Sequence, residues 1–180
     1  MRIVTKRMEL VPYSEELLLR AILSPHDVAR DIGAVLEPLS REALERLRKT
    51  YAMRRYLIRR YPDEWQFSTM WQMVMRESRT LVGELGFKGP PLRNEVEIGY
   101  FTHEGHRGRG LMTEAVMALT DYVLEEESER IRFVSAATRG DNIASLKVLH
   151  KCGFQRTDDR FQYILFRKYP ARAEEDGGGK

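Results

Sequence analysis

One run holds the residue types best suited to chemistry: His106-Arg107-Gly108-Arg109-Gly110-Leu111. Glycines let a backbone come close to a ligand, and the two arginines place positive charge beside it. Before the run, Val96-Glu97-Ile98-Gly99-Tyr100-Phe101 alternates as a strand does. After it, Leu111, Met112, Ala115, Val116, Leu119 and Val123 recur three and four apart, as on one face of a helix over Met112 to Glu127. The first N–H groups of a helix have no intrahelical acceptor and point outward. A strand, a basic glycine turn and a helix therefore make an anion site. A bare Gly-x-Gly would more often be a plain connection, and it is the arginines and the strand-helix context that turn the reading to phosphate.

Three phosphate-binding turns compete for this run. A P-loop needs Lys-Ser or Lys-Thr after its last glycine, where this chain has Leu111-Met112. A dinucleotide fingerprint needs a third glycine, where Thr113 stands, and an acidic residue ending the next strand, which is missing. Gly108-Arg109-Gly110 fits the third, the Arg/Gln-x-x-Gly-x-Gly turn that holds the pyrophosphate of coenzyme A.

The elements that must position this turn can be read in order. Arg7 to Pro12 is a short first strand, ended by its proline. Ser14 caps a helix to Ile22, Pro25 to about Val35 is a second short helix, and Ser40 caps a long helix to about Arg60 that Pro62 stops. Leu44, Leu47, Tyr51 and Ile58 form its apolar stripe, while Arg54-Arg55 and Arg59-Arg60 read as a solvated basic end. Trp65 to Met75, Thr80 to Phe87 and Val96 to Thr102 read as antiparallel strands. Gly83 and Gly86 mark a bulge or a close backbone approach. Ile131 to Thr138 is a buried strand, Asn142 to Lys151 a helix ended by Gly153, and Phe161 to Tyr169 a last strand. The fold class is α+β (mixed α/β), one domain over 1–169, with a mostly antiparallel sheet of about seven strands and helices on both faces. Residues 170–180 have nothing to bury and are expected to be a disordered tail.

Composition bounds the function. The 180 residues suit one domain, with 42% hydrophobic and 32% charged residues. A net charge of +3, from 30 basic and 27 acidic residues, is too small an excess to argue for nucleic acid. One cysteine, Cys152, gives no disulfide framework and no zinc site, and the four histidines lack metal-ligand spacing, so no metal is expected. With no apolar run long enough to cross a bilayer, no membrane role is expected and a cytoplasmic location is the default.

Taken together, Tyr100-Phe101, His106 to Ala115, Asp141 to Leu149 and Cys152-Gly153-Phe154 resemble the GNAT N-acetyltransferases. The resemblance is closest to the branch of ribosomal-protein N-terminal acetyltransferases (RimJ/RimL-like), and it runs from about Arg7 to Tyr169. One departure is Gly105, at the Arg/Gln position of the turn, so pyrophosphate is expected to rest on backbone N–H groups. The resemblance implies direct transfer of acetyl from acetyl-CoA, as co-substrate, to a primary amine in a ternary complex. The acceptor would be a protein N-terminus or a small molecule.

By position, cofactor binding falls to the backbone of Phe101 and Thr102, to His106, Arg107, Gly108, Arg109, Gly110, Leu111 and Met112, and to Asn142 and Ser145. The side chain of Tyr100 is left to packing. Asn142 and Ser145 can equally be a capping pair at a helix start. Many family members carry a tyrosine seven residues after the asparagine as proton donor to the thiol. Leu149 stands there, which leaves Ser145 as the candidate acid. A base must take the amine's proton. Glu97 is the first candidate, Glu84 its rival, and a water chain without a dedicated residue the third possibility. Cys152, beside a helix exit, reads as core rather than nucleophile.

Two other functions compete. A coenzyme A-binding module without useful catalysis would explain the missing tyrosine. A protein binding RNA or ribosome through Arg54-Arg55, Arg59-Arg60 and the turn is disfavoured by the small charge excess and the lack of interleaved aromatic residues. A homodimer is the default oligomer for a soluble enzyme.

Overall fold

A computed structural model describes residues 1–171. Most of the expected tail lies outside the described residues. The strands are β1 (Ile3–Val4), β2 (Met8–Pro12), β3 (Trp71–Met75), β4 (Leu81–Phe87), β5 (Glu95–Thr102), β6 (Phe133–Arg139), β7 (Gln155–Arg160) and β8 (Tyr163–Lys168). The helices are α1 (Glu15–Leu23), α2 (Pro25–Asp31), α3 (Arg41–Arg60), α4 (Trp65–Ser68), α5 (Leu111–Glu126) and α6 (Ile143–Lys151). The sheet order is β1-β2-β3-β4-β5-β6-β8-β7. Every neighbouring pair is antiparallel except β5 and β6.

That one parallel pair is short. Glu95, Val96 and Glu97 face Phe133, Val134 and Ser135, and no pairing follows. Beyond it β5 stays bonded to β4 as far as Gly83 opposite Thr102, and β6 stays bonded to β8 as far as Arg139 opposite Tyr163. The two central strands thus part company and leave a fork whose inner backbone edges have no strand partner among the described residues.

Each face of the sheet carries its own core. Val96 and Ile98 of β5 pack with Leu111, Ala115, Val116 and Leu119 of α5 and Leu149 of α6. Tyr13, Leu18 of α1, and Leu47, Tyr51 and Ile58 of α3 make a second cluster with Met70. The caps are as read: Ser14 Oγ accepts from Leu17 N–H at 3.1 Å and Ser40 Oγ from Ala43 N–H at 3.2 Å. Gly83 and Gly86 are sites of close approach. A methyl group on either would lie 2.5 Å from a backbone carbonyl, that of Phe101 or of Thr69. The ladder also slips at Gly83, where Met73 pairs with Gly83 but Val74 with Leu81.

Three expectations are corrected. Trp65 to Ser68 is a helical turn, not strand: Thr69 N–H bonds back to Trp65 C=O at 2.9 Å, and Phe67 sits against Phe87 with ring centres 5.7 Å apart. The second helix stops at Asp31, and Val35 instead bridges Thr80. Arg54 is not solvated. It is 8% exposed and donates to the Phe87 carbonyl beneath α3. The expected sheet of about seven strands counts eight among the described residues, including β1, two residues long, and β7, Gln-Arg-Thr-Asp-Asp-Arg, exposed throughout and without apolar alternation.

Gly83→Ala is expected to destabilise the chain by about 1–3 kcal/mol, since the new methyl group meets a strand backbone that must shift. An unchanged denaturant midpoint would show that β4 and β5 can separate freely at that point.

Candidate active site

The basic turn is formed as a short 3-10 segment, Glu104–His106, followed by Gly108 at φ 75° and Gly110 at φ 71°. Left-handed φ suits glycine and strains other residues. Gly110 is the N-cap of α5 and has no side chain to cap it, so the first-turn N–H groups of that helix stay available to an anion. The turn is braced from the chain's start. Arg7 Nη1 donates to the Arg109 carbonyl at 2.9 Å, and Arg7 Nε lies 2.6 Å from Glu114 Oε2 in the first turn of α5. Glu114 also accepts from the Thr5 hydroxyl at 2.7 Å and the Arg7 amide at 2.8 Å.

Beside the turn, the fork between β5 and β6 opens into a cleft of about 430 Å³. Phe101, Thr102, Arg107, Met112, Asn142 and Ser145, all predicted site residues, line it together with Tyr100. Buried or half-buried backbone N–H and C=O groups require partners. The unpaired inner edges of β5 and β6 offer donors and acceptors in extended spacing, which an amide-bearing chain such as pantetheine would satisfy. The residues present therefore fit the coenzyme.

Other predicted residues take different places. Leu111 is 4% exposed and belongs to the core. His106 bonds Glu37 at 3.2 Å across its Nε2, outside the cleft lining, and tethers the turn to the loop before α3. Arg107 Nε donates to the Thr102 carbonyl at 3.3 Å, and its guanidinium lies 5.4 Å from the Phe101 ring centre. Asn142 Oδ1 accepts the Ser145 N–H at 3.1 Å, so the capping role is real, and it leaves the amide NH2 for a ligand. Cys152 is 3% exposed, and burial pushes its thiol up to about 11, consistent with core.

The Tyr100 hydroxyl, assigned to packing from the sequence, stands 2.7 Å from Ser145 Oγ. Burial pushes this phenol up to about 12, and the contact with Ser145 pulls against that rise. The alternation of β5 places Tyr100 on the side of Val96 and Ile98. Nothing in the sequence alone says that α6 begins opposite it.

The two carboxylates sit differently. Glu97 is half-exposed and held by Lys88 Nζ at 2.5 Å. Glu84 pairs in register with Phe101, is 6% exposed, and accepts the Tyr51 hydroxyl at 2.7 Å, while Gln72 Nε2 donates to that same hydroxyl at 3.1 Å. Burial raises Glu84, and Tyr51, Arg46, Gln72 and Arg54 pull it partly back. Arg46 lies over the Phe101 ring at 3.4 Å. Arg46, Phe101, His103 and Arg107 line a second cavity of about 200 Å³ under the start of α3, which shares Phe101 and Arg107 with the cleft. Burial lowers His103 to about 4, so its imidazole is neutral. No cluster able to hold a metal ion, and no helix long and apolar enough to cross a membrane, is found among the described residues.

The sequence is matched over most of its length by a family model. Residues 7–155 fit the acetyltransferase (GNAT) domain. The chain belongs to the GNAT acetyltransferase family. Among GNAT relatives, the uncharacterized N-acetyltransferase YjdG of Bacillus subtilis is 35% identical over 85 residues, 47% of this chain and 49% of its own length. The ribosomal-protein-serine acetyltransferase of Escherichia coli is 35% identical over 83 residues, 46% of this chain and 45% of its own. The matched stretch thus spans about half the length of these curated relatives. A solved structure, RimL, the ribosomal L7/L12 alpha-N-protein acetyltransferase in complex with coenzyme A, superposes with a TM-score of 0.65. It is 19% identical and covers 94% of this chain and 98% of its own, a likeness of fold.

Gly108→Val is expected to weaken coenzyme A binding by roughly tenfold or more, because a β-branched residue resists left-handed φ at a cost of about 1–2 kcal/mol. Among the described residues no atom lies within 4 Å of the added Cβ, so backbone strain is the only folding cost, and the thermal midpoint should fall by a few degrees with the protein still folded. Titration calorimetry with undiminished affinity would move the pyrophosphate site elsewhere.

Proposed function

We propose that this chain transfers the acetyl group of acetyl-CoA to a primary amine by direct attack within a ternary complex. The observation that carries the reading is the fork, with its unpaired strand edges leading from the basic turn to Ser145. The GNAT membership and the fold shared with a coenzyme A-bound acetyltransferase support it. The coenzyme, when bound, supplies the activated acetyl group. The uncapped N–H groups of α5 receive its phosphates, with Arg107 and Arg109 adding charge. Backbone groups of Phe101 and Thr102 orient the arm, and Asn142 offers its NH2 group. Ser145 faces the sulfur.

The acceptor enters from the α3 face, through the cavity at Arg46, Phe101 and His103. Glu84 takes the amine's proton, in preference to Glu97, which is half-exposed and engaged by Lys88. A base is most effective when its pKa lies near the working pH, and burial moves Glu84 in that direction. The names of the relatives make a protein N-terminus the first acceptor to try, with small amines second. A coenzyme A-binding module without turnover is the competing reading, and it is distinguished by tight binding with no acceptor consumed.

Incubation with acetyl-CoA and a panel of N-terminal peptides and small amines, followed by thiol release, tests the reading. Failure to bind acetyl-CoA at millimolar concentration would end it. Glu84→Gln is expected to lower kcat/KM by roughly 10²–10⁴-fold. In the native protein the acid limb of the rate profile should lie above the ordinary carboxylate range and vanish in Glu84→Gln. A raised folded-state pKa means that Glu84 contributes stability at low pH that is lost as pH rises through that pKa. The substitution removes this loss, so the variant should stay folded at neutral pH, and a rate profile identical to wild type would return the base role to Glu97 or to solvent.

A further inference from the structure

The cleft contains a pair of hydroxyls that the proposed chemistry leaves half used. Tyr100 OH and Ser145 Oγ are 2.7 Å apart, and either can donate. Both line the cleft, with Thr102 and Thr138 as the other hydroxyls there. The cleft's two cations are engaged: Lys88 with Glu97, and Arg107 with the Thr102 carbonyl. Leu149, 0% exposed, is packed in the core and has no polar group to offer. A serine hydroxyl has one hydrogen and two lone pairs, and a phenol is the stronger donor of the two.

On the acetyl-transfer reading above, we propose that Tyr100 is a positioning residue: its phenol donates to Ser145 Oγ and so aims the Ser145 hydrogen at the sulfur from which acetyl departs. The arrangement is a two-member donor chain anchored on both sides of the fork. Tyr100 comes from β5, and Ser145 comes from the first turn of α6, where Asn142 fixes its backbone at 3.1 Å. Chains of hydrogen bonds polarise one another, so a serine that accepts from a phenol is a better donor than a serine alone.

In the step, the amine nitrogen bonds the acetyl carbon and the carbon–sulfur bond breaks, its electron pair going to sulfur. The amine's proton leaves to the base, and the hydroxyl pair neither gains nor loses a proton. A phenol held up at about 12 keeps its proton at any working pH. An ordinary thiol, at about 8.5, gives a thiolate too weak a base to take that proton outright. The pair therefore steadies charge on sulfur by hydrogen bonding rather than acting as an acid.

Tyr100→Phe removes the hydroxyl and keeps the ring. It is expected to lower kcat roughly tenfold with KM for acetyl-CoA unchanged, and Ser145→Ala is expected to do the same. The double variant should be no slower than Ser145→Ala, since the phenol acts only through the serine. A binding readout needs no turnover. Native protein should prefer coenzyme A to desulfo-coenzyme A in calorimetry, and Tyr100→Phe should shrink that preference. A Tyr100→Phe protein with native kcat and native preference overturns the role of Tyr100 alone, as do additive losses in the double variant. A native protein that binds neither ligand overturns the acetyl-transfer reading together with it.

Discussion

Parallel pairing between β5 and β6 ends at Glu97 opposite Ser135, and much of this molecule follows from that limit. A strand interior normally spends its N–H and C=O groups on two neighbours. Beyond the limit each of these strands has only one. The sheet tolerates the deficit because β4 and β8 hold the outer edges, through Thr102 on one side and Arg139 on the other. What remains is a wedge of unspent hydrogen-bonding capacity in the middle of an otherwise closed sheet. The turn and α5 begin where β5 leaves it, so the wedge and the anion site are consecutive in the chain.

Polarity is distributed unequally across the sheet. On the α5 and α6 side an apolar cluster includes Val96 and Leu149, and the buried Thr120 hydroxyl of α5 is spent on the Val116 carbonyl at 2.8 Å. On the α3 side a buried carboxylate, a phenol, an amide and a guanidinium lie together as Glu84, Tyr51, Gln72 and Arg54. Burying such groups without partners would be costly. Here Tyr51 donates to Glu84 and accepts from Gln72, and Arg54 donates to the Phe87 carbonyl. The Gln72 carbonyl oxygen has no partner among the described residues. Structural economy alone would have filled these positions with aliphatic residues.

How far this could be read from the sequence depends on whether the signal was local. Caps at Ser14, Ser40 and Asn142 are side-chain chemistry with a fixed reach of three residues, and all three stand as read. The glycine turn and the face shared by Val96, Ile98 and Tyr100 are equally local. Trp65 to Ser68 misled because its apolar residues fit a strand as well as a single helical turn, and a four-residue helix shows no period. Strand β7 carried no pattern, since both of its faces are exposed. Arg54 looked solvated because arginine on a helix usually is, and only the position of the Phe87 carbonyl explains its burial. The Tyr100–Ser145 contact joins residues 45 apart, and no spacing rule spans that distance.

The brace on the basic turn ties long-range closure of the chain to competence for ligand. Thr5 and Arg7 meet partners, Arg109 and Glu114, that lie 102 to 109 positions further along the chain. Closing so long a loop is slow and entropically opposed, so such contacts set late on the folding route. A nascent or refolding chain can thus hold its helices and hairpins while the anion cradle is still slack. Strain on the segment ahead of β2 would be felt at the phosphate turn rather than at the nearest edge of the sheet.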